Sequence, residues 1–284
     1  MNTLRTGLLL SALTVLLVMI GGLAGGNHGA MTMFIIAMVI NAVQYWFSDK
    51  IVLAMYGAKP LSESEAPQVY RAVREIAARI RMPLPKLYWI PTKTPNAFAT
   101  GRNPKHASVA VTAGLLELMN DEELKGVLAH ELSHVTNRDT LVMTIAAGIA
   151  GAIMMVARMA QWSLWMGGRN RDENRNGAGN IIVMLLVVVL APLAAMLIQM
   201  AISRTREYGA DDRGAHTIGT SAGLASALAK LEQAQRAYPL PNANPATAHL
   251  FIVNPLSGQA LANLFSTHPP VAERIRRLQS MHLS

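Results

Sequence analysis

The chain has 284 residues, 51% hydrophobic and only 15% charged, with a mean hydropathy of +0.27, which is too apolar for an ordinary soluble domain. It contains no cysteine, so disulfides and thiolate metal sites are excluded and any metal must be held by His, Asp or Glu. The net charge of +8 does not indicate nucleic acid, because the basic residues are scattered and lack interleaved aromatics. A positive cytoplasmic face on a membrane protein accounts for it.

Residues 6–48 hold two uncharged runs, Thr6 to Asn27 and Gly29 to Ser48, each long enough to cross a bilayer. A cleaved export signal would explain the first run alone. The second, following after a single His28, makes a retained hairpin the better reading. Tyr45, Trp46 and Phe47 suit an interfacial aromatic belt, and Asn41 and Gln44 are expected to face other helices, a position near the interface being the alternative.

Residues 49–140 turn polar and basic. Glu65 to Arg81 has Val69, Ala72, Val73, Ile76, Ala77 and Ile80 on one helical face, and Pro83 and Pro85 close it. Lys86 to Ile90 and Ala107 to Thr112 read as short strands, the second with the alternation of an edge strand able to pair with an extended substrate, the alternative being a strand paired on both sides. The Asn96–Ala99 stretch between them reads as an ordinary turn.

Asn120 and Glu123 form a capping signal that starts a helix at about Asp121, with Leu124, Val127 and Leu128 as its buried face. That helix carries His130-Glu131-Leu132-Ser133-His134. Residues four apart share a helix face, so His130 and His134 can offer ring nitrogens to one metal ion. Glu131 lies about 100° further round, badly placed to ligate but well placed to take a proton from an attacking water. Zinc fits this donor set, and the chemistry is peptide hydrolysis.

Residues 141–202 hold two further apolar runs, Leu141 to Ala157 and Ile181 to Ile202, joined by a Gly-, Asn- and Arg-rich loop. They either both cross the bilayer or form a re-entrant hairpin. Small residues four apart, Ala147 with Gly151 and Gly148 with Ala152, permit close helix packing. Residues 203–284 are polar and helical in pattern, with Pro- and Asn-rich loops around 239–255.

Catalytic zinc needs three protein ligands and an open position. His134 lies about 10 Å before the membrane run that begins at Leu141, at 1.5 Å per residue. Glu207 lies about 7 Å beyond the run that ends at Ile202, at the same rise. An antiparallel helical hairpin therefore brings Glu207 level with the histidines. Asp211, one turn on, is placed to accept the N–H of a ligating imidazole.

His130–His134, Glu207-Tyr208-Gly209-Ala210-Asp211, Pro95–Ala99 and Thr267-His268-Pro269-Pro270 together resemble the HtpX family of membrane-bound zinc metalloproteases, which is similar to the CAAX prenyl proteases. The resemblance covers the whole chain. It implies a mainly α integral-membrane protein with about four transmembrane helices and a gluzincin-like cytosolic domain carrying a small β-sheet. It also implies one zinc ion held by His130, His134 and Glu207, with Glu131 catalytic. The implied setting is a bacterial inner membrane with the active site in the cytoplasm. The implied substrates are misfolded or damaged membrane proteins under envelope or heat stress. His268, Tyr208 and Arg204 remain rival donors to the oxyanion. Two other classes fit less well: a prenyl-peptide processing enzyme, and a non-catalytic membrane scaffold that would have no use for Glu131.

Overall fold

A computed structural model of the chain describes residues 2–145, 204–237, 250–253 and 269–283. The first helix, α1 (Asn2–Met55), is two arms joined at Gly25 and Gly26. Gly26 has φ +59°, a left-handed conformation that costs a side-chain-bearing residue and costs glycine little. The arms fold back antiparallel: the Asn41 Nδ2 amide donates to Thr14 Oγ1 at 2.8 Å and to the Leu10 carbonyl at 3.3 Å. Gln44 is also buried, so both polar residues of the second run face inward as expected.

Leu8, Val15, Met19, Ile35 and Val39 point outward on the hairpin, an apolar surface that water would penalise and lipid would not. Among the described residues, Gly25–Met55 is long and apolar enough to cross a membrane, and Thr6–Met19 is a shorter apolar helix. Beyond residue 145, the apolar runs 141–157 and 181–202 and the small-residue pairs lie outside the described residues.

The polar part begins with β1 (Lys59–Pro60), α2 (Pro67–Arg79) and β2 (Lys86–Ile90), followed by β3 (Ala97–Thr100), β4 (Ser108–Thr112) and α3 (Ala113–Leu118). The central helix α4 (Asp121–Thr136) follows, then α5 (Arg204–Ile218), α6 (Ala222–Ala237) and α7 (Val271–Gln279). The helix expected over 65–81 is α2, which starts two residues later at a favourable N-terminal proline. It buries Val69, Ala72, Val73, Ile76 and Ala77, leaving Ile80 half-buried.

The sheet corrects two sequence readings. Its order is β1-β2-β4-β3, with β2 parallel to β4 and β3 antiparallel to it. Residues 97–100, read as part of a turn, form strand β3, because pairing with β4 satisfies backbone groups that a short isolated segment leaves open. Strand β4 is therefore not an edge. It is bonded on both sides and all five of its residues are buried, so it cannot take an added strand. The edge beside α4 belongs to β3.

Helix α4 is buried almost all round, from Glu123 to Val135, because α2, α5, α6 and β3 all pack against it. The expected capping box is present: Asn120 Oδ1 accepts from the Glu123 N–H at 2.9 Å and Glu123 Oε2 from the Asn120 N–H at 3.0 Å. Glu123 also accepts from Lys230 Nζ at 2.7 Å and Ser226 Oγ at 2.6 Å, tying α6 to the start of α4. Burial raises the Glu123 pKa, but Lys230, Ser226 and the Asn120 N–H outweigh it and hold the carboxyl below the usual 4.5.

A depressed carboxylate contributes stability that is complete above its unfolded pKa and is lost as pH falls through the folded value. Glu123→Gln should cost about 1–2 kcal/mol at neutral pH, and the difference should close below pH 4.5. Thermal unfolding in detergent across pH measures it. A pH-independent difference would show that the carboxylate charge contributes nothing.

Candidate metal centre

Helices α4 and α5 run antiparallel, bringing His134 level with Glu207 and His130 level with Asp211. Their close approach depends on Gly214, where a Cβ would lie 3.1 Å from the His130 nitrogen. His134 Nε2 lies 3.4 Å from Glu207 Oε1, and His130 Nε2 lies 3.7 Å from Glu207 Oε2. The ligand atoms of this trio all lie within 4.8 Å of one another, and all three residues are buried. Two donors about 2.0–2.1 Å from a tetrahedral zinc are about 3.3 Å apart, so the two histidine–glutamate separations match one ion and the widest spacing of the trio would have to close on it.

Each imidazole is turned by a carboxylate on its other nitrogen. His130 Nδ1 lies 2.9 Å from Asp211 Oδ1, as the one-turn spacing predicted, and His134 Nδ1 lies 3.3 Å from Asp139 Oδ2. Donating Nδ1–H to a carboxylate leaves Nε2 with its lone pair aimed at Glu207. Asp139 was not anticipated from the sequence. It lies just past the end of α4, where the chain turns through Arg138 into a helical stretch over 139–145. Its Oδ2 also accepts from the Asn137 side chain at 2.8 Å. Burial pushes the His134 imidazolium pKa down, but Asp139, Glu207 and Glu131 together hold it above the ordinary value. A site this rich in negative charge favours a cation.

Arg274 was also missed. It is fully buried on α7, with Nε 2.8 Å from Asp211 Oδ2 and Nη2 2.7 Å from Oδ1, a two-pronged grip. Its Nη1 donates to the Ile252 carbonyl at 3.1 Å and lies 3.7 Å from Glu207 Oε2. Burial raises the Asp211 pKa, yet Arg274 and His130 more than reverse this and keep it below the usual range. A signal for Arg274 existed: on α7, Val271, Ile275 and Leu278 form the inward stripe, and a charge at 274 falls inside it.

Glu131 is buried, and its Oε2 accepts the Ala99 N–H from the edge of β3 at 3.1 Å. Burial is the main reason its pKa is raised, with the Glu207 charge adding to it against both histidines and the Ala99 N–H. A carboxyl moved towards neutrality is better suited to accept and then release a proton.

The space in front of these groups is a cavity of about 20 Å³, lined by His130, Glu131, His134 and Glu207 and roofed by Leu250, Phe251 and Ile252. Asn96 holds the roof: its Nδ2 donates to the Leu250 carbonyl at 3.2 Å, and its Oδ1 accepts the Ile252 N–H at 3.2 Å. Neither Arg204 nor Tyr208 lines the cavity. Arg204 is exposed, and the Tyr208 ring lies 3.7 Å under the Arg277 guanidinium. His268 lies outside the described residues.

The sequence profile of Peptidase family M48 matches residues 63–282. A Protease HtpX homolog of Syntrophobacter fumaroxidans is 57% identical over 98% of both chains. One from Pyrococcus furiosus is 55% identical over 98% of this chain and 95% of its own. Among solved structures, the crystal structure of S. mikatae Ste24p superposes with a TM-score of 0.55 at 19% identity. That match covers 98% of this chain and 65% of the other, and it speaks to the fold.

Proposed function

The chain belongs to peptidase family M48, and on that premise we propose that His130, His134 and Glu207 hold one zinc ion and that Glu131 moves the protons of peptide hydrolysis. The chain is a metalloprotease by its relatives. The identity of the metal and the role of each residue are our reading. The observation that carries it is the convergence of two Nε2 atoms on one buried carboxylate at 3.4 and 3.7 Å, with Glu131 beside them. When bound, zinc supplies a Lewis acid that polarises the scissile carbonyl and acidifies the attacking water.

Glu131 takes the water's proton on the oxygen not held by Ala99 and passes it to the leaving amine. Asp211 and Asp139 keep the imidazoles in register. Hydrolysis of casein by the full chain in detergent should stop with chelator and return with zinc. Turnover unaffected by chelator would sink the metal reading. Absence of turnover with zinc loaded would favour the scaffold class.

We place the protein in a bacterial inner membrane, with misfolded or damaged membrane proteins as substrates during envelope or heat stress. In our reading 6–48 and 141–202 are membrane helices, about four in all, and 49–140 and 203–284 form one split protease domain in the cytoplasm. Two things support this: the N-terminal hairpin returns the chain to the side where it began, and α4 packs on α5 across the intervening runs. Arg5 and the two polar portions also carry 21 of the 25 Lys and Arg residues, as the positive-inside rule prefers. In this cysteine-free chain, Ser257→Cys should resist an impermeant thiol reagent on intact cells, and Gly177→Cys should be labelled if the later runs cross. A labelled Ser257→Cys would put the protease domain outside.

A further inference from the structure

A second cavity, of about 690 Å³, lies where the end of α4 meets the N-terminal hairpin, and it shares no lining residue with the metal centre. Its volume falls within the roughly 300–1,000 Å³ of small-molecule sites. Arg81, Arg102, Lys105 and Arg138 line it, and no acidic residue among the described ones does. None of the four makes an ion pair among the described residues.

The cavity's other walls fix its depth. Thr6 is the first residue of the first apolar run, Tyr45 belongs to the aromatic belt closing the second, and Leu141 opens the third. Three places where the chain meets the bilayer therefore converge on one basic chamber, at the level of lipid headgroups. Arg102 is held there by its guanidinium, 4.3 Å from the Trp46 ring centre.

Two details indicate that the chamber is built for an anion. Thr6 lines the chamber, and its Oγ1, buried behind that wall, has no hydrogen-bond partner. A hydroxyl in that state is a donor awaiting an acceptor. Arg81 and Arg138, at φ +54° and +58°, are the two non-glycine residues with positive φ among the described residues, and both line the chamber. The backbone there favours glycine, so the arginines stand at these positions against local preference.

We propose that this chamber binds the phosphate of an anionic phospholipid headgroup. The four cations supply the charge, and a small turn of the Thr6 side chain would bring its unpartnered hydroxyl to a phosphate oxygen. The neighbouring hairpin offers apolar surface for the acyl chains. Free phosphate shares the charge but not the chains, so the bilayer lipid is the occupant the walls favour. The inference rests on the membrane reading and not on the zinc chemistry.

The test is native mass spectrometry of the zinc-loaded full chain in detergent, titrated with phosphatidylglycerol, phosphatidylcholine or inorganic phosphate. Phosphatidylglycerol should be retained at one tight site, and the other two should not. Arg81→Gly/Arg138→Gly should weaken that binding about thirtyfold while melting no lower than the wild type, since glycine accepts both backbone conformations. Arg102→Gln/Lys105→Gln, which leaves those turns untouched, should weaken it similarly. Lys59→Gln/Arg71→Gln removes the same charge outside the chamber and should change nothing. The proposal fails if that control weakens binding equally, if phosphatidylcholine binds as tightly, or if inorganic phosphate displaces the lipid.

Discussion

Glu131→Gln removes peptide hydrolysis by about 10²–10⁴-fold and leaves the metal in place. The amide matches the carboxylate in shape and still accepts the Ala99 N–H through its oxygen, so the cavity keeps its form. What it lacks is the ability to take a proton near neutral pH. His130→Ala, His134→Ala and Glu207→Gln should behave differently: each removes or weakens a ligand, so metal content measured by mass spectrometry should fall together with activity. Near-normal turnover in Glu131→Gln would show that the carboxylate is not the base. Loss of zinc in that variant would show that it ligates.

Arg274→Met destabilises the metal-free protein by about 3–5 kcal/mol, because it strands buried carboxylates that the guanidinium now compensates. Asp211 loses both of its contacts to the guanidinium, at 2.7 and 2.8 Å, and keeps only His130 Nδ1 at 2.9 Å, while the Ile252 carbonyl loses its donor. Burial alone raises the Asp211 pKa, so the variant regains part of the loss as pH falls and the carboxyl is neutralised. In the wild type the sign is opposite: the depressed Asp211 contributes stability above its unfolded pKa and loses it as pH drops.

Zinc should narrow the gap, since the dication offsets some of the stranded charge. Arg274→Met/Asp211→Asn should recover much of the stability. It should still bind zinc about 10–100-fold more weakly, because His130 Nδ1 loses its anionic acceptor. Thermal unfolding with and without zinc separates these effects. A wild-type melting temperature in Arg274→Met would mean that Asp211 needs no counter-charge.

The elements legible in the sequence were those whose information is local. The Asn120–Glu123 box places the start of α4 because capping involves residues three apart on one chain. His130 and His134 share a face because helical geometry puts them there. Glu207 was reachable from further away, since a rise of 1.5 Å per residue turns distance along two helices into height above a membrane. The one-turn step to Asp211 followed from the same geometry. The N-terminal hairpin and its inward polar residues were legible too, because charge-free length and isolated amides carry that signal.

Tertiary structure decided what depends on partners distant in sequence. Strand β3 has only four residues, and its identity comes from pairing with β4 and from the Glu131 carboxylate on its other edge. Strand β4 looks like an edge because Ser108 and Thr112 flank apolar residues, yet β3 and the helices bury all five. Arg274 is distant in sequence from both α4 and α5, so nothing near it specifies Asp211 as its partner. The Asn96 clamp on residues 250–252 joins a segment that alone reads as a turn to a loop with no pattern of its own. A helix or a cap is specified by residues within a few positions of each other. A buried ion pair or a sheet edge exists only once the chain has closed around it, and the free energy of desolvation then decides which groups must meet.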